Sequence, residues 1–304
     1  MFKEITSFGL RAAALVVIQF IAYAFASGIV AAAGFGLPAP KDQSLTAQML
    51  LLMCLLNGVI LGLLIRRSTM SGVRLIALVF CLVFGVQTAM SQLETLYFNS
   101  VLGIPERQLI GIITSGAITA VLTSIGAVLL FRRRWTISSA IAKGSQKLSS
   151  RQWSFILPPL SAVYVVVYFI FGYFVAWQFT DVRTFYSHSS DILSFPAHML
   201  NFFRTDSWLL VFQAFRGVLW VGLALVVLAI TGGRAWIDAL LTGGVFAVLL
   251  TSQLLIPNPY MGETIRMAHL LETSTSTFIF GVATVWLVGS KSGKASKTVT
   301  TIAW

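Results

Sequence analysis

Residues 45–65 read LTAQMLLLMCLLNGVILGLLI, an apolar block without a charged side chain that ends at the pair Arg66-Arg67. An α-helix rises about 1.5 Å per residue, so a block of this length crosses the roughly 30 Å hydrocarbon core of a bilayer. Similar blocks recur along the chain, separated by charged or Pro- and Gly-containing turns. The sequence therefore predicts an all-α integral membrane protein.

The composition supports a membrane location. Hydrophobic residues make up 57% of the 304 residues and charged residues only 10%, and mean hydropathy is +0.86. A soluble domain carries about a quarter charged residues. Eight blocks are long enough to be transmembrane spans, at about 10–35, 45–65, 74–98, 107–131, 153–178, 207–231, 235–256 and 266–289. Ala24-Phe25-Ala26 resembles a signal-peptidase site, but the first block continues to about Gly36 and is interpreted as a span.

The basic residues predict the orientation of the spans. One side of the predicted bundle carries Lys3, Arg11, Arg66, Arg67, Arg74, Arg132, Arg133, Arg134, Lys143, Lys147, Arg151, Arg234, Lys291, Lys294 and Lys297, and the other carries Lys41, Arg107, Arg183, Arg204 and Arg266. The richer side is expected in the cytoplasm. We therefore predict a plasma (inner) membrane protein with both termini cytoplasmic. The net charge of +11 is spread over short connections, so it indicates anionic lipid headgroups at the basic loops, and no nucleic acid, as partners.

The chain resembles itself at four places in the same order. Residues 16–21 resemble 165–170, Asn57-Gly58-Val59 resembles Arg216-Gly217-Val218, Ser91-Gln92-Leu93 matches Ser252-Gln253-Leu254, and Arg107 with Thr114-Ser115 matches Arg266 with Thr273-Ser274. These matches predict a 4+4 internal repeat. Because each half contains an even number of spans, the two halves would be parallel, related by an axis along the membrane normal.

The repeat defines the predicted domain organisation. Residues 1–131 form the first four-helix transmembrane half, and 153–290 form the second. Between them, 132–152 is a basic, Ser-rich cytoplasmic linker, and 291–304 is a flexible cytoplasmic tail. The connection 179–206 mixes charged residues with Phe and Leu, so we expect part of it to form a short amphipathic helix at the membrane interface.

Three charged residues lie inside the apolar blocks, namely Glu94, Arg216 and Glu272. A charge at such a depth costs at least about 2.5 kcal/mol on insertion scales, so each one needs a partner or a water-filled cavity. Their positions along the helices place all three in the outer half of the membrane. The simplest arrangement is an outward-facing polar pocket lined by spans 3, 6 and 8, in which Arg216 pairs with at least one glutamate.

Helical spacing adds neighbours to these charges. Gln87, Ser91 and Glu94 are expected on one face of span 3, Gln213 lies one turn from Arg216, and His269 lies on the face of Glu272. The candidate substrate- or ion-binding residues are Glu94, Arg216, Glu272, His269, Gln213, Gln92 and Gln253, the last two being the glutamines of the repeated Ser-Gln-Leu motif. A structural alternative remains open, in which Arg216 only fixes the register of its helix against a glutamate.

Catalytic and metal-binding motifs are weak or missing in the sequence. His269 and Glu272 have the i, i+3 spacing that can share a metal, but HExxH, GxSxG and phosphate-binding loops are absent, so we expect no metal and no cofactor. Cys54 and Cys81 each lie in an apolar block and are interpreted as packing residues. No catalytic residue can be named, which favours a protein that is not an enzyme.

Three functions remain open from the sequence. The first is a small transporter or permease-like protein whose charged pocket takes a small anionic or lipid-like ligand at Arg216. The second is an intramembrane enzyme acting on a lipid or isoprenoid, with Glu272 or Glu94 as general acid or base. The third is a non-catalytic membrane sensor or assembly partner that uses the basic 132–152 loop.

Overall fold

A computed structural model describes residues 2–131, 150–231 and 235–299. Over these residues the chain is helical, with connecting turns and loops. The helices are α1 Phe2–Ala32, α2 Gln43–Arg66, α3 Gly72–Leu82, α4 Met90–Tyr97, α5 Asn99–Leu102, α6 Glu106–Phe131, α7 Ser150–Phe174, α8 Thr180–Ser187, α9 Phe195–Thr205, α10 Trp208–Thr231, α11 Ala235–Thr251 and α12 Glu263–Val299. A π-helical segment, Val83–Ala89, joins α3 to α4, and short 3₁₀ turns at Ala176–Gln178 and Ser252–Leu255 follow α7 and α11.

Within the described residues, eight helices are long and apolar enough to cross a membrane, which confirms the predicted number of spans. They are span 1 Glu4–Ala32, span 2 Gln43–Arg66, span 3 Gly72–Tyr97, span 4 Glu106–Phe131, span 5 Trp153–Gln178, span 6 Trp208–Thr231, span 7 Ala235–Leu255 and span 8 Glu263–Val288. Exposed apolar side chains such as Val17, Leu129 and Trp286 cover the outside of these helices. Such a surface is matched to lipid, so the chain is a polytopic helical membrane protein.

The eight spans form one bundle. Span 1 packs against spans 2 and 4, and span 5 packs against spans 6 and 8. Spans 2, 3, 6 and 7 contact one another across the centre. A continuous apolar core, which includes Leu61, Val86, Trp220 and Phe246, fills the space between them.

Small residues bring some helices into backbone contact. A Cβ added at Gly281 of span 8 would lie 2.8 Å from the Cα of Gly243 of span 7, closer than real side chains approach. Glycine is therefore required at this crossing, because only its missing side chain allows the two backbones to meet.

The π-helical segment corrects one expectation about span 3. Gln87 is predicted on the face of Ser91 and Glu94, but a π turn contains more residues than an α turn and rotates the face that follows it. The Gln87 side chain instead donates to the hydroxyl of Tyr23 in span 1, at 2.9 Å. The sequence interpretation of Gln87 was wrong because it assumed uninterrupted α-helical spacing.

Residues 179–206 form a cap over one end of the bundle, and we use this name for them below. The cap contains α8 and α9, in agreement with the short helix expected in this connection. Arg183 holds its first part in place by donating to the backbone carbonyls of Trp177, Gln178 and Ser190, at 2.8 to 3.0 Å. The aromatic rings of α9 pack on span 5, with the Phe169 and Phe202 ring centroids 5.7 Å apart.

Two predicted segments differ in how far the structure describes them. Residues 132–149 of the basic linker are outside the described residues, so its contacts with lipid or a protein partner stay predictions. The last helix continues to Val299 and thereby overlaps the predicted tail at 291–304. The flexibility of that tail also stays a prediction.

Candidate functional site

A cavity of about 670 Å³ begins beneath the cap and extends between spans 3, 5, 6, 7 and 8. Its lining includes Tyr164, Arg216 and Thr277 at the inner end. Thr277 lies about 21 Å along span 8 from Glu263 at 1.5 Å per residue, which is near the middle of that span. The cavity therefore reaches deeper than the outer-half pocket expected from the sequence.

The cavity contains the ion pair that the sequence predicts. In Arg216, one terminal nitrogen of the guanidinium lies 2.9 Å from a carboxylate oxygen of Glu94. The other terminal nitrogen donates to the second Glu94 oxygen at 3.0 Å, so the contact is bidentate. Span 6 thus joins span 3 through an ion pair that includes a charge-assisted hydrogen bond, and the predicted pairing is confirmed.

The two partners differ in exposure. The Arg216 side chain is 2% exposed, whereas that of Glu94 is 32% exposed. Arg216 also donates to Gln213 at 2.9 Å and to the Met90 carbonyl at 3.3 Å, and its guanidinium lies near the ring of Phe212. The guanidinium is held by protein groups, while the carboxylate retains access to the cavity.

Glu272 and His269 form a second polar group on the opposite wall. The carboxylate of Glu272 accepts a hydrogen bond from the Thr273 hydroxyl at 2.7 Å and lies 3.6 Å from Nδ1 of His269. The other ring nitrogen of His269 is 3.1 Å from the Tyr186 hydroxyl. A chain of polar contacts therefore runs from the cap to span 8.

Tyr186 indicates that both glutamates face the same space. Burial raises the pKa of Tyr186, and the negative charges of Glu94 and Glu272 raise it further. The phenol therefore stays protonated over the physiological range and can donate a hydrogen bond. Two carboxylates from spans 3 and 8 act on one residue of the cap.

The three candidate glutamines take different positions. Gln253 lines the cavity and donates to the Gln87 carbonyl at 3.0 Å, a group that the irregular π segment makes accessible. Gln213 is fully buried and supports Arg216 from behind. Gln92 is also buried and lies off the cavity lining, where its amide nitrogen is 3.4 Å from the Ser91 hydroxyl.

The cavity is acidic although the chain as a whole is basic. Among the described residues that line it, Glu94, Asp191, Asp206 and Glu272 carry carboxylates, and Arg216 carries a guanidinium. The bidentate contact neutralises Arg216 with Glu94. The remaining carboxylates leave the cavity with an excess of negative charge.

Aromatic side chains form much of the remaining wall, and the sequence did not identify them as site residues. Tyr164, Tyr168 and Trp177 come from span 5, and Tyr186 comes from α8 of the cap. Their sequence spacing is that of an ordinary lipid-facing or core helix. Only the position of span 5 between spans 6 and 8 shows that they face a cavity.

A contact between span 3 and the cap forms one side of the cavity rim. The Tyr97 hydroxyl donates to Asp206 at 2.7 Å, and the Tyr97 ring stacks on Phe212 with centroids 4.4 Å apart. Phe212 in turn contacts the guanidinium of Arg216. The Phe212 ring therefore contacts both Tyr97 at the rim and Arg216 of the ion pair.

His269, Glu272 and Glu94, three side chains of metal-binding type, line the same cavity. Within residues 2–131, 150–231 and 235–299, no group of three or more His, Cys, Asp or Glu side chains is arranged to hold a metal ion. His269 is instead engaged by Tyr186 and Glu272.

The fold and cavity define the class as a polytopic helical membrane protein with a charged cavity open toward one end. Comparison with protein-family models, curated proteins and solved structures finds no match to this chain.

Proposed function

We propose that the protein is a small transporter or permease-like protein that binds its solute in the cavity. The single observation that carries the proposal is a ligand-sized cavity that reaches from one end of the bundle to about mid-span, between span 3 and the second-half spans. Transporters commonly bind their solutes near the bilayer midplane where two halves meet. Volumes of about 300 to 1,000 Å³ are typical of small-molecule sites.

The proposal includes the 4+4 parallel repeat, which the neighbours of each span support. Span 1 contacts spans 2 and 4 as span 5 contacts spans 6 and 8, and span 2 meets span 7 as span 6 meets span 3. Such a correspondence is expected of two parallel halves about a central axis.

Two glycines support the repeat at the level of residues. A Cβ on Gly58 would face Ala12 and Leu15, at 3.6 and 3.9 Å. A Cβ on Gly217 would face Ser161 and Tyr164, at 3.0 and 3.1 Å. The match between residues 16–21 and 165–170 aligns Ala12 with Ser161 and Leu15 with Tyr164. The aligned glycines therefore face aligned residues.

Thiol labelling from each side of the membrane tests transport without a known solute. In a background with Cys54→Ala and Cys81→Ala, Ser276→Cys in the cavity should react with an impermeant reagent added at the cap side. Ala117→Cys is the matched control, because Ala117 aligns with Ser276 in the first half and is absent from the cavity lining.

The second arm tests alternating access. Thr284, two turns further along span 8, is fully buried. A transporter must open the part of span 8 around Thr284 to the side of the membrane opposite the cap. Thr284→Cys should therefore react slowly with an impermeant thiol reagent added on that side. A Thr284→Cys protein that reacts from neither side would reject the transporter proposal, whatever Ser276→Cys does.

We propose further that the end opposite the cap faces the cytoplasm of an inner membrane and contacts anionic lipid headgroups. The exposed side chains of Arg66, Arg67 and Arg74 at that end support this orientation. Reporter fusions after Ser71, Ser138 and Lys294 should report the cytoplasm, and those after Lys41 and His188 the outside. Fusions at Ser138 and His188 that report the same side would overturn the orientation.

A second candidate function is an intramembrane enzyme acting on a lipid or isoprenoid. The contact chain from Tyr186 through His269 to Glu272 favours it, because it resembles the arrangement of a general acid or base oriented by a carboxylate. Conversion of a membrane lipid extract by the purified protein, lost in His269→Ala, would support this function. Unchanged lipids after prolonged incubation would reject it.

A further inference from the structure

We infer that the cavity binds an organic cation with an apolar body, and this inference rests on the proposed function in that it assigns the ligand class of the same cavity. The sequence alone favours an anionic ligand, because Arg216 is the cation inside the spans. The arrangement around Arg216 points to the opposite charge.

Arg216 is already occupied by protein groups. Its two terminal nitrogens lie 2.9 to 3.3 Å from both oxygens of Glu94, the side-chain oxygen of Gln213 and the carbonyl of Met90. Its Nε is buried and has no hydrogen-bond partner among the described residues. The residue is 1% exposed. Because the residue is this deeply buried, an anion from the cavity could reach the terminal nitrogens only by displacing Glu94, another anion already paired with them.

The carboxylates that line the cavity have fewer protein partners than the guanidinium of Arg216. Glu272 has Thr273 as its hydrogen-bond donor and His269 at 3.6 Å, and Glu94 turns its exposed third toward the cavity. Asp191 and Asp206 lie at the cap. Negative charges around a low-dielectric cleft concentrate their field there and attract cations.

The walls suit a cation that also carries apolar groups. The lining includes the rings of Phe98, Tyr164, Tyr168, Trp177, Tyr186 and Phe202. A cation within about 6 Å of an aromatic face is attracted by the ring's negative face, and quaternary ammonium groups are commonly bound in this way. A bare metal ion is disfavoured, since no three ligands converge among the described residues.

A matched pair of ions tests the sign of the ligand. Tetraphenylphosphonium and tetraphenylborate have nearly the same shape and opposite charge, and both are small enough for a cavity of about 670 Å³. Binding to the purified full chain in a neutral detergent is measured by calorimetry, with detergent alone as the blank. We expect tetraphenylphosphonium to bind at least about tenfold more tightly than tetraphenylborate, which corresponds to one favourable charge interaction.

Two variants on one helix locate the binding. Glu272→Gln keeps the shape of the side chain and removes its charge, so the affinity for tetraphenylphosphonium should fall about tenfold. Glu263→Gln is the matched control, since Glu263 is an exposed carboxylate at the start of the same span and lies off the cavity lining. Its affinity should stay unchanged. If Glu272→Gln fails to fold, Asp206→Asn at the rim replaces it, with an expected loss of about threefold.

The possible outcomes separate this inference from the transporter proposal. Preference for tetraphenylborate, binding of neither ion, or equal losses in the Glu272 and Glu263 variants would overturn the cation site. Binding of tetraphenylphosphonium that depends on Glu272, in a protein whose Thr284→Cys never reacts, would keep the cation site and reject transport. A protein that binds tetraphenylborate more tightly, and whose Thr284→Cys reacts from the side opposite the cap, would keep the transporter proposal and reject the cation site.

Discussion

Spans 2 and 6 each place a buried polar side chain one position before a glycine, and the two side chains make different contacts. In span 2, Asn57 accepts a hydrogen bond from the Ser252 hydroxyl of span 7 at 2.9 Å. In span 6, Arg216 binds Glu94 of span 3. The first contact is neutral and enclosed, and the second is charged and borders the cavity.

The difference teaches why charge and cavity occur together. A neutral hydrogen bond between buried groups costs little to enclose once both partners are satisfied. An ion pair loses hydration on both sides, so it is stable in an apolar bundle only if its geometry is good or one partner remains solvated. The exposure of Glu94 provides that solvation, whereas Asn57 needs none.

The largest expected effect follows from the unequal burial of the ion pair. Replacing Glu94 by Met leaves the enclosed guanidinium of Arg216 without its counter-charge, so we expect a loss of about 3 to 5 kcal/mol in the free energy of unfolding. Arg216→Met releases a carboxylate that water can reach, so its loss should be smaller. Denaturant unfolding in mixed micelles measures both.

The double variant sharpens the same comparison. Glu94→Met with Arg216→Met should be less destabilised than the sum of the single variants by at least about 1 kcal/mol, because both remove one interaction. If the double variant regains both stability and ligand binding, the ion pair is structural. If it regains stability but does not bind ligand, the ion pair is functional. Additive losses would contradict the coupling of these two residues.

A second prediction compares Gly217 of span 6 with Gly58 of span 2. The Cβ of Gly217→Ala would lie 3.0 Å from the Ser161 backbone, so spans 5 and 6 must separate slightly and we expect a loss of about 1 to 3 kcal/mol in the free energy of unfolding. Gly58→Ala meets nothing closer than 3.5 Å and gains helix propensity, so it should be neutral or stabilising by about 0.5 kcal/mol. Thermal unfolding of the two variants should shift in opposite directions or by clearly unequal amounts.

A third prediction concerns the neutral contact of the first half. Ser252→Ala removes the donor to Asn57 and should cost about 1 kcal/mol in the free energy of unfolding. Because Ser252 does not line the cavity, binding of tetraphenylphosphonium should be unchanged. A change in binding would mean that the two polar contacts are coupled across the bundle.

The smallest expected effect is the pH response of the cap, the 28-residue segment 179–206 between spans 5 and 6. The connection between spans 1 and 2, residues 33–42, is much shorter. His198 packs among the rings of Tyr173, Trp177 and Phe202, and burial lowers its pKa below the ordinary 6.5. As pH falls, His198 is therefore protonated more readily when α9 has come away from span 5 than when α9 is packed against it. The packing of α9 should therefore be fully stable above about pH 6.5 and weaken below it.

Tryptophan emission between pH 8 and 5 measures this response, since Trp177 contacts His198. His198→Phe should remove the pH dependence, because phenylalanine keeps the aromatic packing without a titrating group. A pH response that persists in this variant would assign it to another residue.

The sequence predicts those features that depend on local chemistry. Eight spans follow from block length and hydropathy, and pairing of Arg216 follows because few counter-charges share its depth. The aromatic wall formed by Tyr164 and Tyr186 depends on how distant helices pack, which no local pattern encodes. The helix face predicted for Gln87 was wrong, and the cause is local: the π segment changes the helical period at this position.

The glycine crossing of spans 7 and 8 has a mechanical consequence. With Gly243 and Gly281 in backbone contact, neither helix can slide by a residue without driving a side chain into the other backbone. The two spans are therefore expected to move as one rigid unit, and any opening of the bundle must occur where the other spans or the cap meet this pair. Spin labels on spans 7 and 8 should keep a fixed separation, while the distance from span 3 to span 8 changes.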